Sequence, residues 1–475
     1  MCAAPTAPKK RWGEIGVSTG PLSASAISRG LRVSIIEGTF AMLYSTLAGG
    51  MFLAGLALFL GANSFQIALL TAIPALVTGF GFLSGYLVRR AGTRKWLVIW
   101  TAGIGRFVFA VLVPFLLLRR HVGLALLFAV VAVSSILMSI AGTVWTSWIS
   151  DLVPEERRGR FFGLRNGIHG LAGVITAYSA GRGMDALKAA GHEQLGYGLA
   201  FGLAVLFGAV STLLLLKQPE PEVPVRPLQS LRETFTGPLQ EPQFRRLTIF
   251  LVVWFLTGTL ASPFYLVHLI KNLRFSFTAI GIYSIIGGTT GILFQLFWGR
   301  IIDRFGSRPV AVFNFALVGV MPLLWLFATP GFRLPIWCDA LLNGVVWTGA
   351  SLGMWNLLLD LADNPERKES YFAIYSVVTG LGAFLASLLA GTIAQALHGF
   401  HLTLFGQEFF NYDIMFLAAG LARFATLPLL LRVREQDSKS VRHTMRVLGT
   451  FALGRLNSGI EFVLRQILPR SRDPR

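Results

Sequence analysis

Four ionisable side chains interrupt runs that are otherwise apolar, and each has a type that can do chemistry. Glu37 stands within SIIEGTF, His169 within NGIHGL, His268 within FYLVHLI, and Asp339 directly after Cys338. Charge is costly inside lipid, so such groups are the first candidates for holding protons, ions or solutes. Two roles fit Glu37: a cavity carboxylate that takes a proton or a cationic group, or a salt bridge to Arg29 or Arg32 at the rim. An imidazole titrates near physiological pH, so His169 and His268 read either as proton carriers or as hydrogen-bonded structural residues. Asp339 opens its run and reads as an interfacial carboxylate. Asn166 and Gln295 are weaker polar candidates, and Arg165 reads as a rim residue. Arg106 and Arg423 also fall in apolar runs, where long cationic side chains pack against neighbours or reach for the interface.

Aromatic residues offer a second kind of chemistry. Tyr44, Trp145, Trp148, Phe264, Tyr265, Trp347 and Trp355 interrupt four of the runs. They suit either a stacking cavity for an amphipathic solute or ordinary packing and interface belts. Metal chemistry has little support. His398 and His401 form an HxxH pair without further ligands, and two cysteines give neither a zinc spacing nor a disulfide framework. No phosphate-cradling glycine motif occurs, so no nucleotide or other cofactor is expected.

The elements that must carry these residues follow from composition. The 475 residues are 54% hydrophobic and 14% charged. Apolar runs of about 20 residues recur along the chain, long enough to cross a bilayer as helices. Twelve can be counted, starting near Val33, Phe65, Trp96, Val122, Phe162, Gly196, Leu247, Thr278, Pro309, Leu334, Tyr371 and Tyr412. With the N-terminus placed inside, 33 of the 42 Lys and Arg fall in inward segments and 7 in outward loops. That bias predicts cytoplasmic N- and C-termini in a plasma membrane. The net charge of +19 is therefore read as topology rather than nucleic-acid binding. The basic stretch before Leu31 lacks a short apolar core with a cleavage site, so no removable leader is expected.

One phrase occurs twice. GYLVRRAGTRK starts at Gly85 and GRIIDRFGSRP at Gly299, 214 positions later. Gly85, Arg90, Gly92 and Arg94 match Gly299, Arg304, Gly306 and Arg308, while Arg89 stands where the second copy has Asp303. A second echo pairs the stretch from Asp151 with that from Asp360. Echoes at nearly one offset argue for duplication. The predicted organisation is an N-terminal tail (1–30), a six-helix half (31–217), a linker (218–246), a second six-helix half (247–432) and a tail (433–475). The last tail mixes apolar residues with arginines and reads as an amphipathic helix on the inner leaflet.

These features resemble the major facilitator superfamily. They are twelve spans in two pseudo-symmetric halves, the loop phrase after spans two and eight, and PEERRG (154–159) between spans four and five. The resemblance covers residues 31 to 432. It implies an all-α membrane protein with spans 1, 4, 7 and 10 around a central cavity and spans 3, 6, 9 and 12 outside. Asp303 would face the start of span five, near Arg157, Arg158 and Arg160, and hold the halves together. Arg89 would face the start of span eleven, with an acid among Asp360, Asp363, Glu366 and Glu369 as its partner. Gly85 and Gly299 would allow close helix approach. Span four lacks an arginine and span five lacks a Gly-Pro pair, which argues against drug–proton antiport of the usual kind.

The functional expectation is secondary active transport of a small organic solute by alternating access, coupled to a proton or another ion. Candidate solute or coupling residues are Glu37, Tyr44, Trp145, Trp148, His169, Tyr265, His268 and Trp347. The expected partners are the solute, the ion and membrane lipid, and the expected state is a monomer. An enzyme would need a nucleophile–base pair or metal cluster at membrane depth, and none is evident. The alternative is a non-transporting membrane scaffold or sensor on the same fold.

Overall fold

Short polar residues between the apolar runs start several of the helices, Ser23, Asn63, Thr93 and Ser276 among them. The computed structural model describes residues 23–81, 84–154, 157–221, 231–362, 368–404, 407–435 and 444. Ser23 accepts from Ala26 N at 3.2 Å and starts α1 (Ala24–Ala48). The chain kinks at Gly49 and Gly50 into α2 (Gly50–Phe59). Asn63 and Gln66 cap each other's backbone at 2.9 Å and open α3 (Ser64–Thr78). Then come α4 (Ser84–Ala91), α5 (Arg94–Phe107), α6 (Leu112–Leu117), α7 (Leu124–Leu152), α8 (Arg158–Ala189) and α9 (Glu193–Leu215).

After a short helix, α10 (Leu231–Thr236), the second group begins with α11 (Pro242–Gly258) and α12 (Tyr265–Val267), extended by a π turn to Asn272. It continues with α13 (Phe277–Phe305), α14 (Ser307–Trp325), α15 (Leu334–Leu361), α16 (Lys368–Ala396) and α17 (Asn411–Leu431). Among the described residues nine helical segments are long and apolar enough to cross a membrane. The segments built on α3, α8 and α15 fall short of that measure. The predicted all-α fold has one addition: His401–Leu404 pairs with Gln407–Phe410 as an antiparallel hairpin before α17. The tail helix expected over 433–475 lies almost wholly outside the described residues, as does the N-terminal tail to residue 22.

The repeated phrase has a backbone cause. Gly92 and Gly306, equivalent in the two copies, both adopt positive φ, +70° and +96°. Each ends a helix in a conformation that a side chain disfavours, which lets the next helix start at once. The expected role of Gly85 and Gly299 is not seen. A Cβ on either would meet nothing within 4 Å, so neither brings helices together in this conformation.

The two helix groups touch at one end and part at the other. At the end carrying the β-hairpin, one apolar core takes Phe52, Leu56, Ile67 and Tyr197 from the first group and Phe264, Phe277 and Tyr412 from the second. A Cβ on Gly391 would lie 2.6 Å from Ala68 Cβ, and one on Gly181 would lie 2.8 Å from Phe277 O. Down the α8–α13 seam the gap widens: a Cβ on Gly170 would be 3.4 Å from Ile292, and on Gly167, Gly163, Gly159 or Gly299 it would meet nothing within 4 Å. At this end, which carries the repeated phrases, the cores are separate. Val98, Val144 and Trp148 serve the first group, and Leu251, Trp254, Met354 and Tyr371 the second.

Candidate solute-binding site

Position 347 of α15 starts a stripe at helical i, i+4 spacing: Trp347, Ser351 and Trp355. With Trp254 and Phe255 of α11, Phe315 of α14 and Tyr375 of α16, it lines a half-open pocket of about 360 Å³. The lining is aromatic and almost without charge, so it suits stacking on a planar or amphipathic solute. Beneath it lies Arg423, 3% exposed. Its guanidinium carbon sits 5.8 Å from the ring centres of both Trp254 and Trp347. It donates to Gly258 O at 2.9 Å and Val318 O at 3.0 Å. Arg423 thus fixes two walls of the cavity through their rings and backbone.

Glu37 lies in neither expected place. It is 3% exposed, and its Oε1 takes bonds from Arg106 at 3.3 Å and from Ser211 Oγ at 2.6 Å. Arg106 also donates to Thr212 Oγ1 at 3.2 Å. The partner of Glu37 is therefore a cation on α5, not Arg29 or Arg32, and the pair ties α1, α5 and α9 inside the first group. The adjoining Gly38 is covered by Arg165 and His169, since a Cβ there would fall on the His169 ring and 2.6 Å from the Arg165 guanidinium. Arg165 also lies 4.3 Å over the Trp145 ring, and His169 Nε2 is 3.2 Å from Ile35 O. Arg165 is thus a packed residue rather than a rim residue.

The other candidates divide. Trp347 lines the cavity. Trp148 is fully buried, donates to Pro219 O at 2.9 Å and does not line that pocket. Tyr44 is buried with its hydroxyl 3.4 Å from Ser134. Tyr265 stacks on Phe416 at 5.1 Å. His268, 2% exposed, stands edge-on to Phe416 at 5.1 Å, with Nδ1 3.2 Å from Asn272 and Nε2 4.0 Å from Asp413. Tyr265 and His268 thus belong to the packed hairpin end. Asp339, near the start of α15, is buried and accepts from the Tyr283 hydroxyl of α13 at 2.6 Å. His401 packs on Phe410 in the hairpin, and no group of three metal-ligating residues occurs among the described residues.

At the phrase-bearing end, both groups use one device that single-residue reading missed. Glu220, just after α9, accepts from Thr93 Oγ1 at 2.8 Å and Lys95 N at 3.1 Å, at the start of α5. Glu435, just after α17, accepts from Ser307 N and Arg308 N, both at 2.8 Å, at the start of α14. An acid at a helix N-terminus satisfies orphan N–H groups and the helix dipole. The two acids stand 215 positions apart, close to the repeat offset, and that was the available signal. Arg94 pairs with Asp151 at 2.6 Å, and Ser307 Oγ donates to Asp360 at 3.2 Å. Arg308 donates to Leu431 O at 2.7 Å, and Arg158 to Ser150 O at 3.1 Å.

The expected bridge from Asp303 to α8 is absent here. Asp303 is exposed and makes no hydrogen bond or ion pair among the described residues, because the groups are apart where it sits. Arg304 stacks near Phe305 at 5.6 Å, and Arg157 caps α8 without a side-chain bond. Arg89 and Arg90 occupy the last turn of α4. Of the acids expected to face Arg89, Asp360 accepts from Ser307, while Asp363, Glu366 and the side chain of Glu369 lie outside what the structure describes.

Nine described helical segments long and apolar enough to cross a bilayer, in two groups that pack at one end and splay at the other, are the architecture of a polytopic membrane protein. The family profile of the Major Facilitator Superfamily matches residues 35–387 and, in a second match, 247–446. The chain belongs to the Major Facilitator Superfamily, and it is a transporter rather than an enzyme. Solved structures with the same fold include a mutant of the nucleoside transporter NupG, with TM-score 0.66 and 12% identity over 86% of this chain and 100% of that one. A bacterial homologue of the human lysosomal transporter Spinster, inward-facing and unoccupied, gives TM-score 0.57 at 15% identity over 86% and 95%. A bacterial metal transporter gives 0.58 at 15% over 86% and 98%. No curated protein sequence matches the chain.

Proposed function

We propose that the protein is a secondary active transporter that carries a small, partly aromatic organic solute by alternating access, coupled to a proton or another ion. The observation that carries this reading is the aromatic cavity between α11, α14, α15 and α16, set in one of two helix groups that part at one end. Solved structures of this fold belong to a nucleoside transporter and a metal transporter. Cargo therefore has to be argued from the lining, and rings with almost no charge favour a planar organic solute over a metal ion.

The finer architecture belongs to the same proposal. Twelve crossings form two halves, 31–217 and 247–432, with linker 218–246 between them and both termini at the cytoplasmic face of the plasma membrane. The crossings built on α3, α8 and α15 complete the set; α3 is apolar but short, and α8 is the most polar of the three. The phrase-bearing end is then cytoplasmic and the conformation inward-facing. Asp303, Arg89 and the start of α8 become gate elements that engage when this end closes. A scaffold needs neither a splayed seam nor a lined cavity. The reading is tested by thermal-shift screening of purified protein against planar metabolites, followed by uptake of the hits into proteoliposomes. Hits that stack in the cavity and are carried support it; the absence of any stabilising aromatic solute counts against the cargo class.

A further inference from the structure

Asp185, on the last turns of α8, reaches across to the other helix group. Its carboxylate accepts from Phe277 N at 2.8 Å, from Thr278 N at 2.8 Å and from Thr278 Oγ1 at 2.5 Å. These groups open α13, whose own cap Ser276 serves only Ala279 N, at 3.1 Å. Two of the orphan N–H groups of α13 are thus satisfied by an acid from the opposite group. The approach depends on small residues beside it, since a Cβ on Gly181 would lie 2.8 Å from Phe277 O and one on Gly281 would lie 3.1 Å from Ala177 O.

We propose that Asp185 is the positioning residue of the hairpin-end gate: its capture of the α13 N-terminus holds that end shut while the phrase-bearing end is open. Opening the hairpin end must pull this carboxylate from three donors at once and leave the Phe277 and Thr278 amides of α13 without their acceptor. Because bonds to a charged acceptor are the strong ones, their loss shifts the balance between the two states. This inference rests on the alternating-access reading.

The test uses the full-length protein in nanodiscs with Cys2 and Cys338 replaced by serine. Two single-cysteine reporters are labelled with a membrane-impermeant maleimide. Ser64→Cys sits at the closed end, where Ser64 Oγ lies 3.2 Å from Tyr412 OH. Gly167→Cys sits at the open end, where a Cβ meets nothing within 4 Å. Asp185→Asn should raise labelling at Ser64→Cys roughly tenfold and lower it at Gly167→Cys, with Thr278→Val giving a smaller shift in the same directions. Unchanged labelling at both sites overturns the proposal. So does a rise at Ser64→Cys with Gly167→Cys unmoved, since local loosening would do that. Gly391→Trp, which wedges the closed end apart, separates the two claims. If it moves both reporters reciprocally and Asp185→Asn moves neither, Asp185 is not the gate although the halves alternate. If it moves neither, the alternating-access reading falls, and the proposal with it.

Discussion

Glu37 and Arg106 lie 69 positions apart in the chain, yet their side chains meet at 3.3 Å, both buried. Removing one partner strands the other charge in a low-dielectric interior. Glu37→Leu or Arg106→Leu alone should therefore cost about 3–5 kcal/mol, and the double replacement should recover most of it. Unfolding of the purified single and double variants checks this. Additive losses would show that the two residues do not act as a pair.

Positive φ at Gly92 and Gly306 makes a second contrast. Alanine at either should cost about 1–2 kcal/mol, because a Cβ disfavours the left-handed region. Alanine at Gly85 or Gly299 should change stability by less than about 0.5 kcal/mol, since it meets open space. Melting temperatures of the four variants read this directly.

The matched caps predict matched losses. Glu220→Ala frees the start of α5 and Glu435→Ala frees the start of α14. Each should cost about 0.5–2 kcal/mol, the range for a lost N-terminal cap. Hydrogen exchange should quicken at Lys95 in the first variant and at Ser307 and Arg308 in the second. Unaltered protection at these amides would remove the acids from the account.

Within the aromatic set, only some residues should matter for the solute. Trp347→Ala and Trp355→Ala should each weaken binding of a planar solute roughly five- to tenfold, the worth of one stacking partner. Trp148→Ala should leave affinity unchanged while lowering stability by about 3–5 kcal/mol, because its ring fills a core. Calorimetric titration with a screened solute distinguishes the two kinds of tryptophan.

Much of the scaffold was legible because lipid restricts the choices to apolar helices, and because a repeated phrase marks equivalent turns. Among the described residues, nine of the expected runs form helices long and apolar enough to cross a membrane, with edges moved where caps such as Ser23 and Asn63 sit outside the apolar run. Partners were far less legible. Glu37 had two sequence-near cations, Arg29 and Arg32, yet tertiary packing supplied Arg106. Trp148 and Trp347 look alike in sequence, and only helix rotation sends one to a core and the other to a cavity. Of the phrase's glycines, the two whose conformation demands glycine here, Gly92 and Gly306, are set by φ, which spacing alone does not reveal. Asp185, Glu220 and Glu435 act on backbone groups, and a backbone N–H carries no sequence signature.

Entrance counterflow in proteoliposomes tests the central claim most directly. Vesicles preloaded with an unlabelled solute found by thermal shift are diluted into a trace of the labelled solute. The account predicts a transient accumulation of label with the wild-type protein, sharply reduced by Trp347→Ala together with Trp355→Ala. Tight binding of the solute without any accumulation of label would contradict it.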